Sequence, residues 1–433
     1  MARHPRACAL LSGENLTDLW ERLRCLEFGV TPLSANSTSR HRTVFSISRF
    51  HALLQAVPRG QFQALVEQHE GDRYAKRFGC YDLLVAQVFG HLNGSRSLRE
   101  IETGFNAHRR HHYHLGTDEL RRSTLADACA KRSPAIFEGL AKQLMAGAHR
   151  RVRQAGSECL RLLDSTSFTL KGRGFDLWAA NSRTRNTQGL KLHIVYDPAS
   201  AVPTLQEITA ANVNDVTQGS RIPITRGATY VFDKGYCDYH WWARLHAQEA
   251  HFVTRLKSNA KVTVVRSRRP PAAASGLVLA DERIQLSNTN PGAGRKLPQD
   301  LPLRRITIAR PDKQTPLVLV TNDFRRSATE VADCYKARWQ IELFFKWIKQ
   351  NLRIRSFYGR SENAVRIQIL CALIAYLLIA LYRLRHAPQM PLLRLLDEFR
   401  AALFQRPATD MTCERRRRKR QLAQLAVQPG LFS

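Results

Sequence analysis

No C-x-x-C pair occurs in the chain, although it carries nine cysteines. Cys8, Cys25, Cys80, Cys129, Cys159, Cys237, Cys334, Cys371 and Cys413 lie far apart. That spacing argues against a zinc ribbon or a disulfide framework and fits a reducing cytoplasm. A membrane-spanning run is also missing. The longest apolar stretch, Ile369 to Tyr382, is flanked by Arg366 and Arg383 and falls short of the roughly 18–20 residues a span needs. It reads as a buried core helix, with no membrane partner. Ala7 to Leu11 is too small an apolar patch for a signal peptide, so a cytoplasmic location is expected. No internal repeat is apparent. Acids are scarce: 36 Asp plus Glu face 67 Lys plus Arg, a formal net charge of +31. Such an excess calls for a polyanionic partner, nucleic acid foremost.

What is present is ordinary globular composition, 44% hydrophobic and 24% charged over 433 residues. Two or three modules are expected at this length. Residues 1–42 carry no strong periodicity and end in Ser34 to Arg42, an extension or linker. Residues 43–150 read as helical. Phe50, Leu53, Leu54 and Val57 recur at helix spacing, Ser97 with Glu100 forms a capping box, and Ser133-Pro134 starts another helix. From 151 to 257 short β-rich runs take over: Leu160 to Leu163, Lys191 to Tyr196 and Tyr230 to Phe232, then a helix from Cys237 to Gln248 and a strand from His251 to Leu256. Residues 258–320 hold four β-like runs between Pro-, Ser- and Gly-rich turns, which suggests a β-rich insertion. A long helix follows from Ser327, capped with Glu330, to about Gln350, within a stretch 321–395 that ends in the apolar helix 364–384. Residues 396–433 form a basic tail containing Glu414 to Arg420, six consecutive cations behind one acid.

Two aspartates stand where a strand is expected to stop, Asp164 in LLDST and Asp233 in VFDKGY. Acids on neighbouring strand ends can share a divalent cation, although Asp there is often only a turn former. The long helix adds Tyr335, Arg338, Glu342 and Lys349 at offsets 0, 3, 7 and 14. At about 100° per residue these fall within an arc of roughly 60°. Their neighbours Val331, Trp339, Ile341, Phe344, Phe345, Trp347 and Ile348 make the rest of the helix read as core. A simpler reading is a partly buried Arg–Glu pair that holds the helix in place.

This spacing resembles the hallmark of the IS4 family of bacterial insertion-sequence transposases, Y-(2)-R-(3)-E-(6)-K on the helix that carries the last acid of a D-D-E triad. Tyr335, Arg338, Glu342 and Lys349 reproduce it without a gap, and Asp233-Lys-Gly-Tyr236 resembles the block around the family's second acid. Four residues at fixed offsets arise by chance in ~10⁻⁵ of windows at roughly one in twenty per position. Residues 45–150, from FHALLQAVP to RRSTLADA, look like the helical N-terminal domain of one branch, and the whole resemblance runs from about 43 to 400. It implies an α/β fold: an RNase H-like catalytic core with a β-rich insertion, preceded by an all-helical DNA-binding domain. It implies Asp164, Asp233 and Glu342 as catalytic metal ligands for Mg²⁺, with Mn²⁺ able to substitute. Tyr335, Arg338 and Lys349 would meet phosphates at the transposon end. The implied partners are double-stranded DNA, both terminal inverted repeats and target, and a second copy in a homodimeric synaptic complex, in a bacterial cytoplasm at the nucleoid. In the family a DNA hairpin forms and a flipped base stacks on an insertion tryptophan. This chain has no Trp between Trp242 and Trp339, and Trp339 reads as core.

Further basic residues fit a DNA path. Lys171, Arg173, Arg183, Arg185, Arg255 and Lys257 flank the expected cleft, and Arg121 and Arg122 stand at a helix start where backbone N–H groups favour phosphate. His108, His111, His112 and His114 read as a phosphate-facing loop rather than a metal site, because Arg109 and Arg110 would repel a cation. Two other functions compete: a catalytically inactive transposase-derived DNA-binding regulator, and an RNase H-like host DNA nuclease. Intact acids count against the first. The complete Tyr-Arg-Glu-Lys set counts against the second.

Overall fold

A computed structural model describes residues 48–153, 159–180, 188–268, 276–287, 301–310, 314–354 and 356–405. The extension 1–42, Arg183, Arg185 and the cationic run 414–420 lie outside the described residues.

Helices come first: α1 (Arg49–Leu54), α2 (Arg59–Gln68), α3 (Cys80–Asn93), α4 (Leu98–Asn106), α5 (His112–Leu115), α6 (Arg122–Lys131) and α7 (Pro134–Arg153). The Ser97 side chain caps α4 by accepting from Glu100 N at 3.2 Å, but Glu100 turns back to Arg96 N rather than to Ser97. The expected capping box is therefore only half formed. His108 stacks on Phe404 at 4.0 Å and His112 on Phe105 at 4.3 Å. His112 is buried in the helical layer, whereas His108, Arg109 and Arg110 are exposed.

The sheet follows: β1 (Leu160–Thr169), β2 (Gly189–Asp197), β3 (Val202–Ala210), a short helix α8 (Asp215–Gly219), β4 (Thr229–Phe232), α9 (Tyr239–Ala247) and β5 (His251–Arg255). Helix α9 starts where Asp238 accepts from His240 N at 2.8 Å and Trp241 N at 3.2 Å, satisfying two amides that a helix start leaves unpaired. Strands β6 (Val262–Arg268), β7 (Val278–Leu286), β8 (Leu303–Ile308) and β9 (Leu317–Thr321) come next, then α10 (Ala328–Ala337), α11 (Trp339–Asn351), α12 (Glu362–His386) and α13 (Leu392–Ala402).

The nine strands among the described residues form one sheet in the order β3-β2-β1-β4-β5-β9-β8-β7-β6. The pairs β1–β4 and β4–β5 are parallel, and the others are antiparallel. Three antiparallel strands followed by two parallel ones, with helices on both faces, give the RNase H-like core. The β-rich stretch 258–320 continues this sheet through β9, which pairs with β5.

One apolar core joins the helical layer to the sheet. Helix α12 packs on α7, α3, α6 and β3, and Ile369 to Leu381 are all buried. By length and mean hydropathy it could cross a membrane, but 94% of its most apolar window is buried inside the protein. Truncating a Leu there to Ala should cost about 2–5 kcal/mol. Residue 150 lies within α7, and the passage from helices to strands that follows is not a break in the core. On the opposite face Phe232, Tyr236, Trp241, Trp242 and Phe252 form a second core under α9. The stretch 396–433 begins inside α13, whose Leu395, Leu396 and Phe399 are buried, so its first residues are anchored to the core.

Candidate active site

Strands β1 and β4 end their parallel pairing at Leu163↔Phe232. The next residue on each strand is an aspartate, Asp164 or Asp233. Only β4 stops there. Strand β1 runs on to Thr169 because its other neighbour, β2, pairs as far as Thr169↔Gly189, which corrects the expectation that both acids end strands. Asp164 therefore lies where the parallel neighbour peels away, and Asp233 begins a one-turn 3-10 segment, Lys234–Tyr236. The divergence leaves both aspartates at the end of the parallel β1–β4 pair, inside the sheet rather than at its edge strands.

The expected long helix is two. Ser327 and Glu330 form the capping box of α10, with bonds of 3.2 and 2.7 Å. At Arg338 the chain tightens: Arg338 N bonds to Tyr335 O and Ile341 N to Arg338 O, three residues back each time. Such i→i+3 bonds separate α10 from α11 without Gly or Pro. The four motif residues still face the strands that bear the acids. The Tyr335 hydroxyl donates to Asp233 Oδ1 at 3.5 Å. Arg338 donates through Nη2 to Glu342 Oε1 at 2.6 Å, and its Nη1 lies 3.6 Å from Asp164 Oδ2. Lys349 Nζ donates to Ser167 O at 3.0 Å and sits 5.1 Å from the Phe168 ring centre. The Arg–Glu pair of the simpler reading is thus present, but the same guanidinium also reaches the first acid. Trp339 corrects the sequence reading: it is 59% exposed, and Leu343, one turn on, is 49% exposed.

Charge is concentrated here. Burial pushes the Asp164 carboxyl up to about 6, with Glu342 and Asp215 adding to the rise, while the Ser165 amide and Arg338 oppose it. Burial also raises the Tyr335 phenol against the pull of Arg338. Among the described residues no three of His, Cys, Asp and Glu form a ready-made ion cage. In its place the Arg338 guanidinium lies between Asp164 and Glu342 as a stand-in cation. Carboxylate oxygens are hard donors of the kind a divalent ion takes, and the two acids that bear on the desolvated Asp164 are Glu342 and Asp215.

Arg255 ends β5, beside β4, and its charge bears on Tyr335. Lys257 bears on Cys237, just past the Asp233 turn. Both therefore border the site. Arg121 and Arg122 lie exposed on the helical layer, and no hydrogen bond or ion pair among the described residues joins them to the acids. The first N–H of α6, that of Arg122, is taken by Glu102 Oε1 at 2.8 Å. Sequence reasoning missed Asp215. Its Oδ1 accepts from Ser165 Oγ at 3.0 Å and from Lys191 Nζ at 3.3 Å, and lies 3.7 Å from His193 Nδ1. In NVND it reads as a loop residue, and only the fold brings it behind Asp164.

The family described as "Transposase DDE domain" matches residues 155–378, and a domain of unknown function matches residues 46–118. A putative transposase, y4zB, of Sinorhizobium fredii is 45% identical over 284 residues, which cover 65% of this chain and 77% of that protein. A probable transposase for the insertion sequence element IS5377 of Geobacillus stearothermophilus is 28% identical over 311 residues, 68% of this chain and 80% of that one. Among solved structures, the piggyBac transposase synaptic complex with hairpin DNA aligns at a TM-score of 0.42 and 10% identity over 81% of this chain and 78% of that one, too distant to bear on the site. By these matches the chain belongs to the DDE-domain transposases of IS4-type insertion sequences, enzymes that cut and join DNA.

Proposed function

We propose that this transposase cuts at the ends of its own insertion sequence and joins them to target DNA, with Asp164, Asp233 and Glu342 as the catalytic acids. The observation that carries the assignment is the rung Leu163↔Phe232, beyond which two acids stand side by side with a third linked to the first by Arg338. A DDE domain works with divalent metal. We assign Mg²⁺, replaceable by Mn²⁺, to these three carboxylates. When bound, the ions would polarise the scissile phosphate and offset charge on the attacking and leaving oxygens.

The chain's own residues do the positioning. Tyr335 holds Asp233, and Arg338 holds Asp164 and Glu342 until DNA and metal arrive. Arg338 is then free to take a phosphate with a two-pronged grip, while Lys349 acts as a point charge beside β1. Arg338 Nε is buried and lacks a hydrogen-bond partner among the described residues, which leaves a donor for such a contact. Arg255 and Lys257 extend the basic border. Arg121 and Arg122 are assigned to DNA on the helical layer, residues 43–150, and the net charge of +31 supports a long DNA track. Two copies would hold two ends, at the nucleoid in the cytoplasm.

The test is direct. Purified chain is incubated with a duplex carrying the terminal inverted repeat of its element, with Mg²⁺ or with EDTA, and the strands are resolved on a denaturing gel. Metal-dependent nicks at the repeat boundary and joined products are expected. Cutting that ignores the repeat would favour a general nuclease.

A further inference from the structure

Behind the first acid lies a polar cluster for which the reading above has no use. Asp215 opens α8, and its carboxylate lies against both segments that carry the aspartates. On one side it accepts from the hydroxyl of Ser165, the residue after Asp164. On the other, Gly235, in the turn after Asp233, is so placed that a Cβ there would lie 3.8 Å from Asp215 Oδ2. Tyr236 of the same turn is buried and senses both Asp215 and Asp164.

The cluster is anchored from the sheet. Ser165 and Ser167 pair across β1–β2 with His193 and Lys191. Lys191 spans Asp215 Oδ1 and, at 2.8 Å, Val213 O, which ties the start of α8 to β2. His193 is 5% exposed and donates to or accepts from Thr209 Oγ1 at 2.9 Å, while its Nδ1, facing Asp215, has no hydrogen-bond partner among the described residues. A cation, a hydroxyl and an imidazole edge thus surround one carboxylate. A negative charge kept that close to another acid raises the cost of ionising Asp164, and the Lys191 ion pair limits that cost.

We infer that Asp215 is a positioning residue: through Ser165 and the turn at Gly235 it fixes Asp164 and Asp233 relative to each other so that they can share a divalent ion. The inference rests on the assignment of Asp164 and Asp233 as metal ligands. Residues that orient metal ligands commonly change affinity about 10–100-fold when altered.

The experiment uses the full chain. Mn²⁺ binding is followed by the loss of free-Mn²⁺ electron paramagnetic resonance signal for the wild type, Asp215→Asn, Ser165→Ala and Asp164→Asn. Melting in EDTA and cleavage of end DNA at saturating Mn²⁺ are measured alongside. Asp215→Asn is expected to bind Mn²⁺ about tenfold more weakly, to melt within a few degrees of the wild type, and to recover most of its cleavage once metal saturates. Ser165→Ala should show the same pattern more weakly. Unchanged Mn²⁺ affinity in a folded Asp215→Asn overturns the inference. So does loss of cleavage at saturating metal with normal affinity, which would place Asp215 in the chemistry itself. Should Asp215→Asn fail to fold, Ser165→Ala decides, and wild-type affinity there overturns the inference. Asp164→Asn serves as a separate control: normal binding and cleavage in that variant would refute the ligand assignment whatever Asp215 does.

Discussion

Arg338 donates to Glu342 Oε1 at 2.6 Å, four residues along, while its other terminal nitrogen lies 3.6 Å from Asp164. One guanidinium therefore links the helix acid to the strand acid. Without it two carboxylates would share a half-buried edge with no positive charge between them. Arg338→Ala should lower end-DNA binding or cleavage by roughly 10–100-fold, on the basis of ~1–3 kcal/mol for a charge-assisted phosphate contact. Gel shift and single-turnover cleavage check this beside a melting curve. A large fall in melting temperature with normal cleavage would mean that the residue only holds α11 in place.

Asp164 should cost the fold stability. Its carboxyl is raised from 3.8 to about 6. Between those two values the unfolded chain is ionised while the native chain keeps its proton, so stability falls as pH rises from 3.8 to 6 and stays lower above 6. The shift corresponds to at most about 3 kcal/mol. Asp164→Asn should therefore melt higher than the wild type at pH 8 in EDTA and no higher near pH 4. Equal melting at both pH values would show that Arg338 already offsets the burial.

Divalent metal should reverse that penalty, because an ion that binds only the native state stabilises it by mass action. Adding Mn²⁺ at pH 8 should raise the melting temperature of the wild type and leave Asp164→Asn or Glu342→Gln almost unmoved. Differential scanning fluorimetry reads this without any DNA. A rise of equal size in all three proteins would place the ion elsewhere.

Arg121 and Arg122 are exposed, so replacing both with Ala should leave stability within about 0.5 kcal/mol. The loss should instead appear in the ratio of affinities for end DNA and scrambled DNA, measured by gel shift in the full chain at two salt concentrations. A fragment comparison would be unsound, since α12 supplies much of the core on which α3, α6 and α7 pack. A uniform loss on both DNAs, with a shallower salt dependence, would make these residues phosphate contacts without a role in choosing the ends.

The motif residues were legible because chemistry fixes their spacing, and the capping box at Ser327 and Glu330 gave the start of their helix. Three features were not. Strand β1 passes through Asp164 because β2 outlasts β4, a fact about partners that no local pattern records. Strand β3 opens Val202-Pro203, and a proline so early in a run, together with burial that does not alternate along the strand, hides the strand signal. The break at Arg338 has no Gly or Pro to announce it. Asp215 was hidden for a related reason: its partners Ser165, Lys191 and His193 are 50, 24 and 22 residues away. Only the register of β1 on β2 brings them together. Trp339 misled because apolar periodicity says which residues could be buried, and α11 offers more apolar faces than the sheet covers.

The measurement closest to the central claim compares Asp164→Asn, Asp233→Asn and Glu342→Gln with the wild type on one labelled end duplex, by gel shift in EDTA and by strand cleavage in Mg²⁺. Each change removes a carboxylate charge with little change in volume. The expected result is end-DNA binding close to wild type in all three variants and no detectable cleavage in any. Cleavage at wild-type rate in any one of them would contradict the assignment of these three acids as the catalytic set.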